Sequence, residues 1–278
     1  MIYDCFPFFN ELDLLEIRLA ELYDTVDKFV LVEATKTFQK QPKNLIYKEN
    51  QERFSPFKDK IIHIVLDDYP GFFSKFRVPR PWDISHHQKN AVARGLVNCK
   101  ADDIILISDL DEIPRAESIL AFKDRPGIKV FEQRQFNYFL NCIAVRGPDE
   151  VHLVQRGNIL FWKGVVMLNY REFRSFRSTR RYHDESEPEV CCIQEGGWHF
   201  SYLGGYEKVM YKMRSLEHAN EKHYYYDPEK DMEKLKRKIE LGEDLFDREY
   251  RYKFIEVDDT YPAYLRKNIG KYGHLLKR

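Results

Sequence analysis

The segment Asp103–Ser108 (DIILIS) carries four successive apolar residues and leaves no polar position on either face of a strand. A strand reads this way when both its faces are covered, as in a parallel sheet with helices above and below. Further strand candidates precede it at Ile2–Phe6, Lys28–Glu33 (KFVLVE) and Ile61–Leu66 (IIHIVL). Helical patterns separate them. Leu12, Leu15, Leu19 and Leu22 recur at helical spacing behind Asn10, read as the N-cap with Asp13 as its partner. Ile84, Ala91, Val92 and Leu96 mark a second helix over Ile84–Val97. Strand–helix–strand order predicts an α/β fold, an open doubly wound sheet with helices on both faces.

The second half changes character. Lys129–Glu132, Phe136–Ile143 and Asn158–Trp162 read as strands, and Gly196-Gly197 and Gly204-Gly205 punctuate the region. Tyr206–Ala219 is predicted as an amphipathic helix with Val209, Met210, Met213 and Leu216 inward. Asp227, Pro228 and Gly242 bracket another, whose apolar face is Met232, Leu235 and Ile239. No repeat or linker breaks the 278 residues, so one domain is expected: a nucleotide-binding half over 1–114, an acceptor half with a helical end over 115–278.

Composition narrows the classes. Forty-five basic residues balance 45 acidic ones, which argues against a nucleic-acid binder. No apolar run reaches the ~18 residues of a membrane span, and no leader pattern opens the chain. Five cysteines without a C-x-x-C give no disulfide framework or zinc ribbon, and Cys191-Cys192 read as buried thiols. A cytoplasmic protein is the expectation.

Chemistry concentrates after the fourth strand, in Ser108-Asp109-Leu110-Asp111-Glu112-Ile113-Pro114. Ligands of open α/β sheets bind outside the carboxyl ends of the strands. Residues i and i+2 of an extended chain point the same way, so Asp109 and Asp111 can face one site. Two such carboxylates call for a cation, and hard oxygen ligands suit Mg²⁺ or Mn²⁺. The competing reading is a solvated acidic turn at a helix start. Glu33, ending the second strand, is either a ribose ligand or a surface carboxylate. The first turn, Pro7–Glu11, has no G-x-G-x-x-G, so a dinucleotide fingerprint is absent. In Glu195–Gly205, Trp198 can stack on a sugar and His199 can complete a metal shell, or serve only as a core or surface histidine. Arg171, Arg174, Arg177, Arg180 and Arg181 can meet a diphosphate. The blander alternative is a solvated face paired with Asp184, Glu185, Glu187 and Glu189. The adjacent His86 and His87 diverge on a helix and make poor ligands.

Several blocks together resemble glycosyltransferase family 17: Asp4–Phe8 with Asn10–Glu16, Val30–Phe38 (VLVEATKTF), Asp102–Pro114 (DDIILISDLDEIP), Gly197–Ser201 (GWHFS) and, more faintly, Tyr264–Asn268. The resemblance implies a GT-A-type Rossmann-like sheet, a nucleotide-sugar donor (UDP-GlcNAc first), a glycan acceptor and Mn²⁺ or Mg²⁺. Asp109-Leu110-Asp111 would be its D-x-D motif, with Asp111 on the metal and Asp109 on ribose or metal. His199 would be a further ligand. Phe6, Pro7, Asn10, Glu11 and Glu33 would lie beside the nucleoside, and Gln88 would face the donor. The expected reaction is a single displacement with inversion, in which a carboxylate takes the acceptor proton. Glu195 is the first candidate for that base, with Glu112, Asp184 and Asp227 open. Two other functions compete: a haloacid-dehalogenase-like phosphatase with Asp109 as nucleophile and Asp111 as acid/base, and a carbohydrate-binding protein without turnover.

Overall fold

The computed structural model describes residues 1–69, 80–184, 190–215, 227 and 230–277. The first half runs β1 (Ile2–Phe8), α1 (Leu12–Leu22), β2 (Lys28–Ala34), α2 (Ile46–Glu49), β3 (Ile61–Leu66), α3 (Pro81–Asn90), β4 (Ile104–Ile107), β5 (Glu112–Pro114) and α4 (Ala116–Phe122). The second half runs β6 (Ile128–Asn137), β7 (Cys142–Arg146), β8 (Leu153–Arg156), β9 (Ile159–Asn169), α5 (Phe176–Arg180) and β10 (Val190–Ser201). It closes with α6 (Tyr206–Ser215), α7 (Met232–Glu240), β11 (Arg251–Phe254) and α8 (Ala263–Lys267).

One sheet crosses both halves in the order β11-β7-β6-β9-β4-β1-β2-β3. β3, β2, β1 and β4 are parallel, in the Rossmann-like order the first half predicts. From β4 onward pairing turns antiparallel, through β9 to β6 and β7, so the sheet is mixed rather than doubly wound throughout. Within the second half, β6–β7 and β8–β9 are joined by turns too short for a parallel crossover and pair antiparallel.

Alternation along the strands supplies two covered faces. Ile2, Phe6 and Phe8 of β1 and Phe29 and Leu31 of β2 pack with Leu15, Leu19 and Leu22 of α1 and with Phe54. Tyr3, Cys5, Val30 and Val32 face the other way, against Ala91, Val92, Leu96 and Phe176. Helices thus cover both faces, as expected. A third cluster joins Val209, Met210 and Met213 of α6 to Leu235 and Ile239 of α7. Among the described residues no helix is long and apolar enough to cross a membrane.

Several boundaries differ from the expectation. Asn10 does not cap α1: Glu11 stands at the cap without a side-chain bond, its carboxylate accepting from Asn10 N–H at 3.0 Å. The helix expected over Ile84–Val97 starts at Pro81 and tightens into a 3-10 turn, Ala91–Gly95, where Gly95 lies flush against Val30. Lys129–Glu132 and the start of Phe136–Ile143 belong to one strand, β6, which ends where Tyr138 takes φ 69°. Asn158–Trp162 is the start of an eleven-residue strand. α6 is described to Ser215, and Leu216–Ala219 lie outside the described residues. α7 is capped at Asp231, not Asp227, and Pro228 lies outside the described residues. Gly242, at φ 67°, follows the end of α7 as predicted. Cys191 and Cys192 are half-buried rather than buried.

β10 reaches the acidic segment by pairing antiparallel with β5, where Gly197 faces Pro114 and His199 faces Glu112. A Cβ on Gly197 would collide with Ile113 O and sit 2.9 Å from Pro114 Cα. Gly197→Ala is therefore expected to cost roughly 1–3 kcal/mol in urea unfolding. Gly270→Ala, with open space around it, should be near neutral.

Candidate active site

β4 ends at Ile107, and residues 108–111 cross from its carboxyl end to β5. One buried side chain holds this crossing from behind. Arg18, on α1 and fully out of water, pairs with the equally buried Asp4 of β1 through Nε at 2.8 Å and Nη2 at 2.6 Å. Nη2 also donates to Ser108 Oγ at 2.6 Å. Nη1 donates to the carbonyls of Asp109, Leu110 and Glu112 at 2.9, 3.0 and 2.8 Å. The guanidinium fork thereby fixes the backbone that carries the acidic side chains. On the far side, Phe200 N–H donates to Asp111 O at 2.8 Å, tying the loop to β10.

In front of the loop lies a cavity of about 380 Å³, within the range of small-molecule sites. Pro7, Phe8, Phe9 and Glu11 wall it after β1, and Lys36–Phe38 after β2. Gln88 and Lys89 come from α3, Trp162 from β9, His199 and Ser201 from β10, Tyr202 from just after it, and Lys212 and Ser215 from α6. At its edge the ring of Phe9 stacks on Tyr211 of α6, centroids 5.7 Å apart.

Acidic and basic groups alternate inside. Asp109 is bracketed by Lys89 Nζ at 2.9 and 3.0 Å, with Arg180 at 3.9 Å. Asp111 meets Lys212 Nζ at 3.0 Å through Oδ2 and lies 3.8 Å from His199 Nε2 through Oδ1. Lys212 also reaches Glu11 at 3.3 Å. Glu112 accepts from Trp162 Nε1 at 2.7 Å, Asp109 N–H at 2.9 Å and both Arg180 Nη atoms at 2.5 and 2.6 Å. Burial alone would raise both aspartates, but Lys89 and Arg180 hold Asp109 well below the carboxylate range, and Lys212 and His199 hold Asp111 below it. Both are carboxylates at neutral pH. Lys212 is pushed upward against its own burial by Asp111 and Glu11. Burial pushes His199 below the ordinary imidazole value, with Asp111 opposing, so it is neutral with a lone pair to offer.

Two carboxylates and a neutral imidazole suit a hard divalent cation. The 3.8 Å between Asp111 Oδ1 and His199 Nε2 is too long for a hydrogen bond. His199 Nδ1 is buried without a partner in the described residues. No three His, Cys, Asp or Glu side chains converge at ligand spacing among those residues; Asp111 and His199 are the two that could hold an ion. Oxygens of a bound ligand would complete such a shell.

Of the residues expected in the site, Pro7, Glu11, Gln88, Asp109, Asp111 and His199 line one cavity. Five others do not. Phe6 is buried in the core beneath the Arg18 guanidinium, 4.4 Å from its ring centroid. Asn10 flanks the wall without lining it. Glu33 is fully buried and caps α2, accepting from Tyr47 N–H at 2.7 Å and pairing with His63 at 3.0 Å. Trp198 points away because neighbours on a strand face opposite sides; its Nε1 donates to Thr260 O at 2.9 Å. Trp162 takes the place on the cavity wall. Glu195 sits on a bulge at φ 51°, its carboxylate 47% exposed and paired with Arg134 at 2.7 Å, outside the cavity. Of the other base candidates, Glu112 is fully engaged, Asp227 accepts from Lys230 N–H, and the Asp184 side chain lies outside the described residues. Sequence reasoning missed Lys89, Trp162 and Lys212. Arg180 stood in a run weighed mainly as a solvated face. That reading suits Arg177, which is exposed, and Arg171, which pairs with Asp102, but not Arg180.

Two outcomes are expected. Arg18→Met should cost about 3–5 kcal/mol in denaturant unfolding by stranding Asp4. Asp4→Leu with Arg18→Met should regain part of that stability, yet leave ligand binding impaired because the carbonyls of Asp109, Leu110 and Glu112 lose their Arg18 donor. For His199, the unfolded chain takes up a proton near 6.5 while the fold resists it. Its contribution is therefore present above that pH and lost as pH falls toward the depressed folded value. His199→Gln should flatten the stability decline between pH 7 and that value.

The chain is 24% identical to the β-1,4-mannosyl-glycoprotein 4-β-N-acetylglucosaminyltransferases of Rattus norvegicus, over 288 residues, and Homo sapiens, over 287 residues. Each match covers 96% of this chain and 53% of the relative. The chain thus spans about half the length of the curated relatives it matches. Among solved structures, the mannosyltransferase PcManGT from Pyrobaculum calidifontis, in complex with GDP-Man and Mn²⁺, matches at a TM-score of 0.39 and 12% identity, over 86% of this chain and 70% of that one. The family model of glycosyltransferase family 17 matches residues 1–276, and the chain belongs to that family.

Proposed function

We propose that this glycosyltransferase moves a sugar, N-acetylglucosamine first, from a UDP-sugar to a glycan hydroxyl by single displacement with inversion. The observation that supports it is the cavity at the carboxyl end of β4, where Asp109 and Asp111 stand among Lys89, Arg180 and Lys212 beside Trp162. A nucleotide-sugar needs cationic groups for its diphosphate and an apolar ring for its sugar, and the cavity offers both. Mn²⁺ or Mg²⁺ on Asp111 and His199 would supply Lewis-acid stabilisation of charge on the leaving diphosphate. The chain's own part is to orient and neutralise. Lys89 and Arg180 keep Asp109 ionised, Arg18 holds the loop, and Phe9, Trp162 and Tyr202 narrow the space left for water. Membership of a glycosyltransferase family favours sugar transfer over the phosphatase reading and over binding without turnover.

The test is thermal stabilisation by UDP-, GDP- and CMP-sugars, each with Mn²⁺ and with EDTA. At a hundredfold excess over Kd a ligand adds roughly 2.7 kcal/mol, a shift of several degrees. A shift with UDP-GlcNAc that needs Mn²⁺, and that Asp111→Asn removes while staying folded, is the expected result. No shift with any donor at saturation overturns the proposal.

A further inference from the structure

Four carboxylates share the cavity (Glu11, Asp109, Asp111 and Glu112), and three side-chain cations meet them. The cations are not equivalent. Lys89 clasps both oxygens of Asp109. Arg180 is locked to both oxygens of Glu112 and to Gly164 O at 2.6 Å. Lys212 lies close to two carboxylates from separate segments, Asp111 at 3.0 Å and Glu11 at 3.3 Å, whereas Arg180 holds Glu112 and reaches Asp109 only at 3.9 Å. Lys212 does so from α6, whose packing rests on Val209, Met210 and Met213. It stands on the same carboxylate, Asp111, that the divalent-cation reading requires.

Resting on that reading, we propose that Lys212 is a resident counter-ion that exchanges partners when donor and metal arrive. With the cavity empty, its ammonium neutralises Asp111. Two cations on one carboxylate repel, so a divalent ion takes Asp111 only as Lys212 withdraws. Withdrawal alone would leave the poorly solvated ammonium with Glu11 in place of two carboxylates, which is unfavourable. The diphosphate of a nucleoside diphosphate gives it a new anionic partner. Metal and nucleotide therefore favour each other's binding through Lys212, and the coupling is reciprocal. The consequence is that metal alone binds weakly and the carboxylate pair is not loaded without donor.

The experiment measures Mn²⁺ binding by electron paramagnetic resonance and UDP binding by calorimetry. It compares wild type, Lys212→Met and, as a control of equal charge change on the exposed face of α6, Lys208→Met. Wild type should bind Mn²⁺ weakly alone and at least about tenfold more tightly with UDP. Lys212→Met should bind Mn²⁺ alone several-fold more tightly than wild type, bind UDP about tenfold more weakly at saturating Mn²⁺, and lose much of the coupling. Lys208→Met should match wild type. Lys212→Gln gives the same comparison if the methionine variant does not fold. Unchanged or weaker binding of Mn²⁺ alone by the Lys212 variants overturns the exchange while leaving the donor reading intact. A wild type that binds neither Mn²⁺ nor UDP overturns both.

Discussion

Arg18 and Asp4 form an ion pair with no access to water, and the acidic loop takes its position from it. Isolated, such a pair stabilises little, because desolvation offsets most of the attraction. Its value lies in the rest of the guanidinium fork, which reaches Ser108 and the carbonyls of Asp109, Leu110 and Glu112. Buried carbonyls without donors are unfavourable, so the turn closes around Arg18 in one geometry. That geometry places Asp109 and Asp111 toward the cavity and lets β5 continue into its pairing with β10.

The two halves of the fold meet at this loop. The parallel half supplies the strand end that presents the aspartates, together with Gln88 and Lys89 from α3. The antiparallel half brings His199 and Trp162 across on β10 and β9, and α6 adds Lys212. Charge balance then fixes the character of the site. Each carboxylate has a cation or amide within reach, and the cations beside Asp109 and Asp111 keep that pair ionised in a partly buried space. The same balance is adjustable, because a cationic neighbour can be exchanged for another when an anionic ligand enters.

The sequence showed most clearly what depends on local pattern. The buried strand at Asp103–Ser108, the β1–β4 order of elements and the acidic motif at its end are written in short contiguous stretches, and all are found. The placing of Asp109, Asp111 and His199 around one cavity also agrees with that reading. What failed depended on contacts between distant segments. Glu33 looked like a ligand because it ends a strand, but the segment after β2 folds back and uses it as a cap for α2. Trp198 and His199 are neighbours in the chain, so only one of them can face the cavity, and strand parity gives that place to His199. Glu195 is turned outward by a bulge that spacing alone does not reveal. Lys212 occupies the polar side of an amphipathic helix and carries no signal of its own. Asp4 did carry one: a charge inside an apolar strand demands a buried partner, and Arg18 on the next helix was the nearest candidate.

Crystals grown with Mn²⁺ and UDP, measured at the manganese absorption edge, test the account most directly. The expected result is one strong anomalous peak within bonding distance of an Asp111 carboxylate oxygen and of His199 Nε2, with the diphosphate beside it and Lys212 Nζ moved off Asp111. A peak remote from Asp111, or nucleotide density outside this cavity, would contradict it.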